Sequence, residues 1–135
     1  MSNERIARII TDLERFLNDF KSFEIKTEED LKDKEKFYAA SMVLFSTVNR
    51  AIDLGEEVVS DKKLGSPETY RDIFFFLERE KIIDARLRQE FSSLIHFRNL
   101  AAHEYHNFTG KDVFEAAGKI QTVKAFANAV KKLYK

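Results

Sequence analysis

The stretch "SDKKLGSPETYRDIFFFL", Ser60 to Leu77, ends one helical pattern and begins another. Before it, apolar side chains recur every three or four residues; within it, Gly65 and Pro67 break the period. Ser66 fits an N-cap and Pro67 the first position of a new helix, where the missing N–H has no intrahelical partner to lose. The following "IFFFL", Ile73 to Leu77, is apolar all round. One packing partner does not cover such a segment, so burial on two sides is expected, against the bundle and against a second subunit.

Upstream, "TEED" at Thr27 to Asp30 has the form of a capping box. It precedes Leu31, Phe37, Tyr38, Met42, Phe45, Val48, Ile52 and Val59, the apolar positions of a helix of about thirty residues. Ile6, Ile9, Leu13, Phe16 and Phe20 form the stripe of an earlier helix. Downstream, a fourth helix starts near Asp84 and a fifth runs from about Gly110 to the end. The expected fold is all-α, an up-and-down bundle of about five helices in a single domain over residues 1–135. The thirteen phenylalanines, at helical spacing, read as core.

A chain of 135 residues buries roughly two thirds of the surface its unfolded form exposes, enough for one core. It has no cysteine, which excludes disulfides, thiolate zinc sites and cysteine nucleophiles. The N-terminus is charged from its fourth residue and no apolar run reaches the length of a membrane span. The expectation is a soluble, cytoplasmic protein with no membrane partner. Lys plus Arg equals Asp plus Glu at 23 each, so net charge supplies no general attraction for nucleic acid. Six lysines against two acids from Thr109 onward would fit a basic flank, but fit better a solvated helix face with the ordinary cationic end of a helix.

"HFRNLAAHEYHNF", His96 to Phe108, holds all three histidines with an arginine, two asparagines and a tyrosine. On an ideal helix Arg98 and Tyr105 fall within about 20° of each other, while His103 lies about 140° round from Arg98 and nearly over Asn99. Arg98 and His103 thus straddle a helix edge. They converge where a second surface packs along that edge or where the helix unwinds. A shared metal is disfavoured, because His96 and His103 are about 10 Å apart in helical rise while zinc–nitrogen bonds are about 2.1 Å. No glycine-rich phosphate loop is present. What remains is an arginine, suited to phosphate, beside a histidine that exchanges protons near neutral pH, a pair suited to phosphodiester chemistry without metal or cofactor. The plain alternative is that Arg98 pairs with Glu90 or Glu104 and the histidines only favour a helix C-terminus.

"RNLAAHEY", Arg98 to Tyr105, resembles the R-x4-H-x-Y motif of HepT-like toxins, members of the HEPN superfamily of helical ribonucleases. The likeness extends over Leu44 to Tyr105, nearly half the chain. It implies a homodimer whose two motif helices meet in a cleft and cut RNA without metal, Arg98 and His103 matching the catalytic pair and Asn99 a supporting polar position. It further implies a companion minimal nucleotidyltransferase antitoxin that attaches AMP to Tyr105. "IDLGEE" resembles the corresponding family segment, which implies that Asp53 borders the cleft and orients Arg98 or His103. Spacing alone reads Asn49, Asp53 and Glu57 as a polar line, equally a solvent-facing stripe. Two rivals stand beside the nuclease: a non-catalytic module that binds a nucleotide or docks the nucleotidyltransferase, and a purely structural adaptor.

Overall fold

In the computed structural model, which describes residues 2–104 and 107–135, the chain is helical, with no strand among the described residues. The helices are α1 (Ser2–Ser22), α2 (Lys34–Asp61), α3 (Tyr70–Arg79), α4 (Ala85–His103), α5 (Gly110–Ala117) and α6 (Ile120–Leu133), with a 3-10 turn at Glu28–Lys32.

The capping box at Thr27 is present, but it serves the 3-10 turn. Asp30 Oδ2 accepts from the backbone N–H groups of Lys26 and Thr27 at 2.8 and 2.9 Å. Asp33 then caps α2, accepting from Lys36 N at 3.1 Å, so the long helix begins at Lys34. A short aspartate side chain that can bond the backbone three residues on competes with helix continuation, and here it divides the segment.

α3 likewise starts later than Ser66 and Pro67 suggest. Thr69 is its N-cap, with Thr69 Oγ1 accepting from Asp72 N at 3.1 Å and Asp72 Oδ2 accepting from Glu68 N and Thr69 N. The reciprocal Thr69–Asp72 pair satisfies more orphan donors than a proline at the first position. Gly65, at φ +144°, makes the preceding turn, and a Cβ there would stand 3.0 Å from the Phe76 ring. The final segment forms two helices parted at Gly118 and Lys119, a break at which glycine weakens helical continuation.

Ile6, Ile9, Leu13 and Phe20 of α1 are buried as expected, and Phe16 is half-buried. On α2 the inward face carries Leu44, Val48, Ala51, Ile52, Leu54, Val58 and Val59. Tyr38 and Met42, expected inside, face solvent at 67% and 64% exposure. The apolar period of α2 is thus wider than one stripe, and only packing selects which part is covered. Of "IFFFL", Ile73, Phe74 and Leu77 are buried, Phe76 is half-buried and Phe75 is exposed.

Phe74, Phe91 and Phe126 lock α3, α4 and α6 together. Phe74 stacks on Phe91 at 4.2 Å, and Phe126 meets both edge-on at 5.6 and 5.3 Å. Phe37 near the start of α2 stacks on Phe108 beyond the end of α4, while Asn49 further along α2 reaches Arg98. α2 and α4 therefore run in opposite directions. At Gly55 the backbone of α2 lies so near α3 that a Cβ would stand 2.7 Å from Ile73 Cγ2. That approach brings the start of α3 over the face of α2 and α4 that carries Arg98.

Candidate functional site

α4 begins at its N-cap Asp84, which accepts from Leu87 N at 2.8 Å, and ends at His103, where Glu104 N still donates to Leu100 O. Arg98, on the penultimate turns, is half-buried and held on several sides. Its Nε donates to Asn49 Oδ1 at 2.8 Å and its Nη1 to Asn99 Oδ1 at 3.0 Å. Its Cζ lies 5.1 Å from the Tyr70 ring centroid and 5.7 Å from that of Phe45. The aromatic rings restrict the guanidinium plane while the two amides fix its rotation.

The nature of these partners matters. Neither asparagine carries a charge, and among the described residues no carboxylate forms an ion pair with Arg98. Glu90 pairs with Arg86 instead, and Glu78 with Arg88. The positive charge of Arg98 is therefore oriented without being neutralised, with two of its five N–H donors used by the two asparagines.

Arg98, Asn99 and His103 line one open cleft of about 670 Å³, whose other wall is the start of α3 and the loop before it, Pro67 to Arg71. The 140° between Arg98 and His103 is bridged within one chain, because the roof from α3 crosses the edge of α4 and His103 stands at the last turn, exposed. That separation by itself therefore does not require a second subunit. His96 is on a different groove, with Ser92, Ser93 and Lys119, so His96 and His103 do not converge. Tyr105, and with it His106, lies outside the described residues.

Asp53 neighbours the cleft residue Glu56, but its side chain bonds neither Arg98 nor His103. It accepts from Arg50 Nη1 at 3.0 Å, and Arg50 Nε donates to Asp12 at 2.9 Å, so Asp53 belongs to a clamp between α1 and α2. It is not among the residues that line the cleft. Glu57 pairs with Arg5 of α1. The polar line of α2 is thus divided: Asn49 supports Arg98, Asp53 holds Arg50 of its own helix, which in turn reaches Asp12 of α1, and Glu57 pairs directly with Arg5 of α1. Nothing in the spacing of Asn49, Asp53 and Glu57 distinguishes these tasks. Phe45, Tyr70 and Glu56 are cleft or arginine contacts that the sequence reading did not pick out; Phe45 and Tyr70 look like ordinary helix aromatics until α3 folds over α4.

The family model described as "Ribonuclease HepT-like" matches residues 6–132. The chain belongs to the HepT-like ribonuclease family. It is 28% identical over 120 residues to a tRNA nuclease HepT of Aphanizomenon flos-aquae (strain 2012/KM1/D3), spanning 86% of this chain and 82% of that protein. Its fold matches a tri-AMPylated Shewanella oneidensis HEPN toxin in complex with an MNT antitoxin, with a TM-score of 0.84 at 19% identity, covering 94% and 96% of the two chains. It also matches YutE of Bacillus subtilis, a cytosolic protein of unknown function, with a TM-score of 0.82 at 18% identity, covering 94% and 88%. The all-helical HEPN fold of the HepT-like family is therefore the fold of this chain. No described helix is long and apolar enough to cross a membrane.

Proposed function

We propose that this HepT-like chain is a metal-independent endoribonuclease, the toxin of a pair whose antitoxin is a minimal nucleotidyltransferase. The observation that carries the reading is the state of Arg98: fixed by two neutral amides, without a carboxylate partner among the described residues, in a cleft that also holds His103. A rigid unneutralised guanidinium suits the charge that builds on phosphorus during transesterification. His103, at the cleft and exposed, exchanges the proton. The reaction is attack of an RNA 2′-hydroxyl on the adjacent phosphate, expelling the 5′-oxygen of the next nucleotide. One proton leaves the nucleophile and one reaches the leaving group. In a homodimer with facing clefts, two copies of His103 divide these steps.

Asn99 and Asn49 support Arg98, and AMP placed on Tyr105 is the proposed means of neutralisation. The tri-AMPylated relative and its MNT partner support that part of the reading.

The test is RNA cleavage by purified protein in EDTA, with Arg98→Ala and His103→Ala alongside. Wild type is expected to cut, and each variant to lose about 10²-fold or more while remaining helical. A folded, fully active His103→Ala protein overturns the mechanism. The rival reading, a nucleotide-binding or docking module, draws on Glu56 and Glu68 at the same cleft, whose charges oppose a long polyanion. It gains if the protein binds mononucleotides and cuts no RNA.

A further inference from the structure

The cleft does not stop at Arg98. Glu56 lies seven residues beyond Asn49 on α2, hence on the same helix face and about 10 Å further along the axis. It lines the same cleft as Tyr70, Ile73, Ile95 and Arg98. Ile73 and Ile95 are each 1% exposed and form an apolar floor. Tyr70, whose ring centroid is 5.1 Å from Arg98 Cζ, keeps 37% of its surface in solvent.

Phosphate chemistry explains Arg98 and His103 but not these neighbours. An apolar floor gives a phosphate nothing, and a carboxylate repels it. A nucleobase uses all three features: its face stacks on an aromatic ring, its body rests on apolar side chains, and its edge bonds a polar group. The offset of about 10 Å between the Asn49–Arg98 contact and Glu56 is comparable with the reach of a nucleotide from its phosphate to the outer edge of its base.

We propose that the Tyr70–Glu56 end of the cleft is a base subsite selecting guanine beside the phosphate that is cut, an inference that rests on the ribonuclease reading. Tyr70, one face of whose ring packs on Arg98, is the stacking platform with its other face, and Glu56 reads the Watson–Crick edge. An ionised carboxylate only accepts hydrogen bonds. Guanine presents N1–H and the N2 amino group side by side, matching its two oxygens. Adenine and cytosine present one amino group beside an acceptor nitrogen. Uracil presents a single N–H between two carbonyl oxygens, which face the carboxylate unfavourably. Guanine is therefore ranked first and uracil last.

The experiment compares wild type, Glu56→Gln and Tyr70→Leu in two measurements. One is cleavage of single-stranded oligonucleotides that differ only in the base beside the cut; the other is NMR titration with guanosine and uridine 3′-monophosphates. Wild type is expected to favour guanine over uracil by about tenfold or more in both. Glu56→Gln should bring that ratio to within about twofold of unity, since a neutral amide presents a donor as well as an acceptor. Tyr70→Leu should weaken every base, because stacking is blind to the edge. Cleavage with equal rates for all bases overturns the subsite and leaves the ribonuclease reading standing. A guanine preference that survives Glu56→Gln unchanged overturns the assignment of Glu56. Preferential binding of the guanosine nucleotide without any RNA cleavage supports the subsite and overturns the ribonuclease. No binding and no cleavage overturns both.

Discussion

Arg98 Nε and Asn49 Oδ1 meet at 2.8 Å across 49 residues of sequence, joining the middle of α2 to the end of α4. The contact supplies orientation without charge. Asn49→Ala should leave the fold intact, at a cost of about 1 kcal/mol for the lost hydrogen bond, and slow RNA cleavage by about 10- to 100-fold through a loosened guanidinium. Asn49→Asp should also slow it, for a different reason, since a carboxylate would neutralise the arginine. Single-turnover kinetics of both proteins check this; wild-type rates in Asn49→Ala would deny Asn49 a positioning role.

The approach of α2 to α3 at Gly55 makes a second expectation. A methyl group there stands 2.7 Å from Ile73 Cγ2, with Phe74 and Leu77 close behind, all buried. Gly55→Ala gains helix propensity but forces α3 outward, and overpacking of this kind costs about 1–3 kcal/mol. Thermal unfolding should shift down by several degrees. Because α3 roofs the cleft, cleavage should decline as well. An unchanged or higher melting temperature would show that Ile73 repacks freely.

Glu56 gives a pH dependence. Partial burial first, and then the neighbouring Asp53 carboxylate, hold it above its ordinary value of 4.5. The folded chain thus keeps this proton more readily than the unfolded one. Its stabilising share is complete below pH 4.5 and is lost as pH rises through the raised value. The stability of wild type minus that of Glu56→Gln should therefore fall across the weakly acidic range and then level off. Denaturant midpoints at several pH values measure this, and a flat difference contradicts it.

Assembly is expected to use α2. Tyr38 and Met42 lie exposed one turn apart, on a line continued by half-buried Phe45 and then by Asn49. A homodimer covering that line would set two copies of the Arg98 cleft near each other, as shared proton transfer requires. Light scattering should give about twice the 15.8 kDa chain mass, and Met42→Lys should shift it toward monomer. A wild-type monomer at micromolar concentration would remove the two-histidine arrangement while leaving the single cleft.

Tyr105 is the proposed AMP acceptor. Incubation with ATP, magnesium and the companion nucleotidyltransferase should add whole adenylyl groups, seen by mass spectrometry, and silence cleavage as the added phosphate engages Arg98 and the adenosine obstructs RNA. Tyr105→Phe should still cut RNA and resist both effects. Labelling and silencing of Tyr105→Phe would place the acceptor on another residue.

The helical class, the break after α2 and the start of α4 at Asp84 are all legible in the chain, because caps and apolar period are local properties. So is the nearness of Arg98, Asn99 and His103, which one helix carries. Even the close approach at Gly55 is foreshadowed by a glycine inside an apolar helix. Local pattern reaches less far at the helix ends. Asp33 and Thr69 displace the starts suggested by Thr27 and Ser66, since competing caps a few residues apart differ only in which backbone donors they satisfy. Local pattern is silent on partners. Asn49, Asp53 and Glu57 share one spacing, yet the first holds Arg98 while the other two bind arginines that α1 and α2 bring to them. Tyr38 and Met42 have the period of core residues and yet remain exposed. The residue types and their helical faces are set by sequence, whereas which faces meet depends on the packing of the helices, and that packing put an asparagine and two aromatic rings around an arginine, in a cleft that a glutamate also lines.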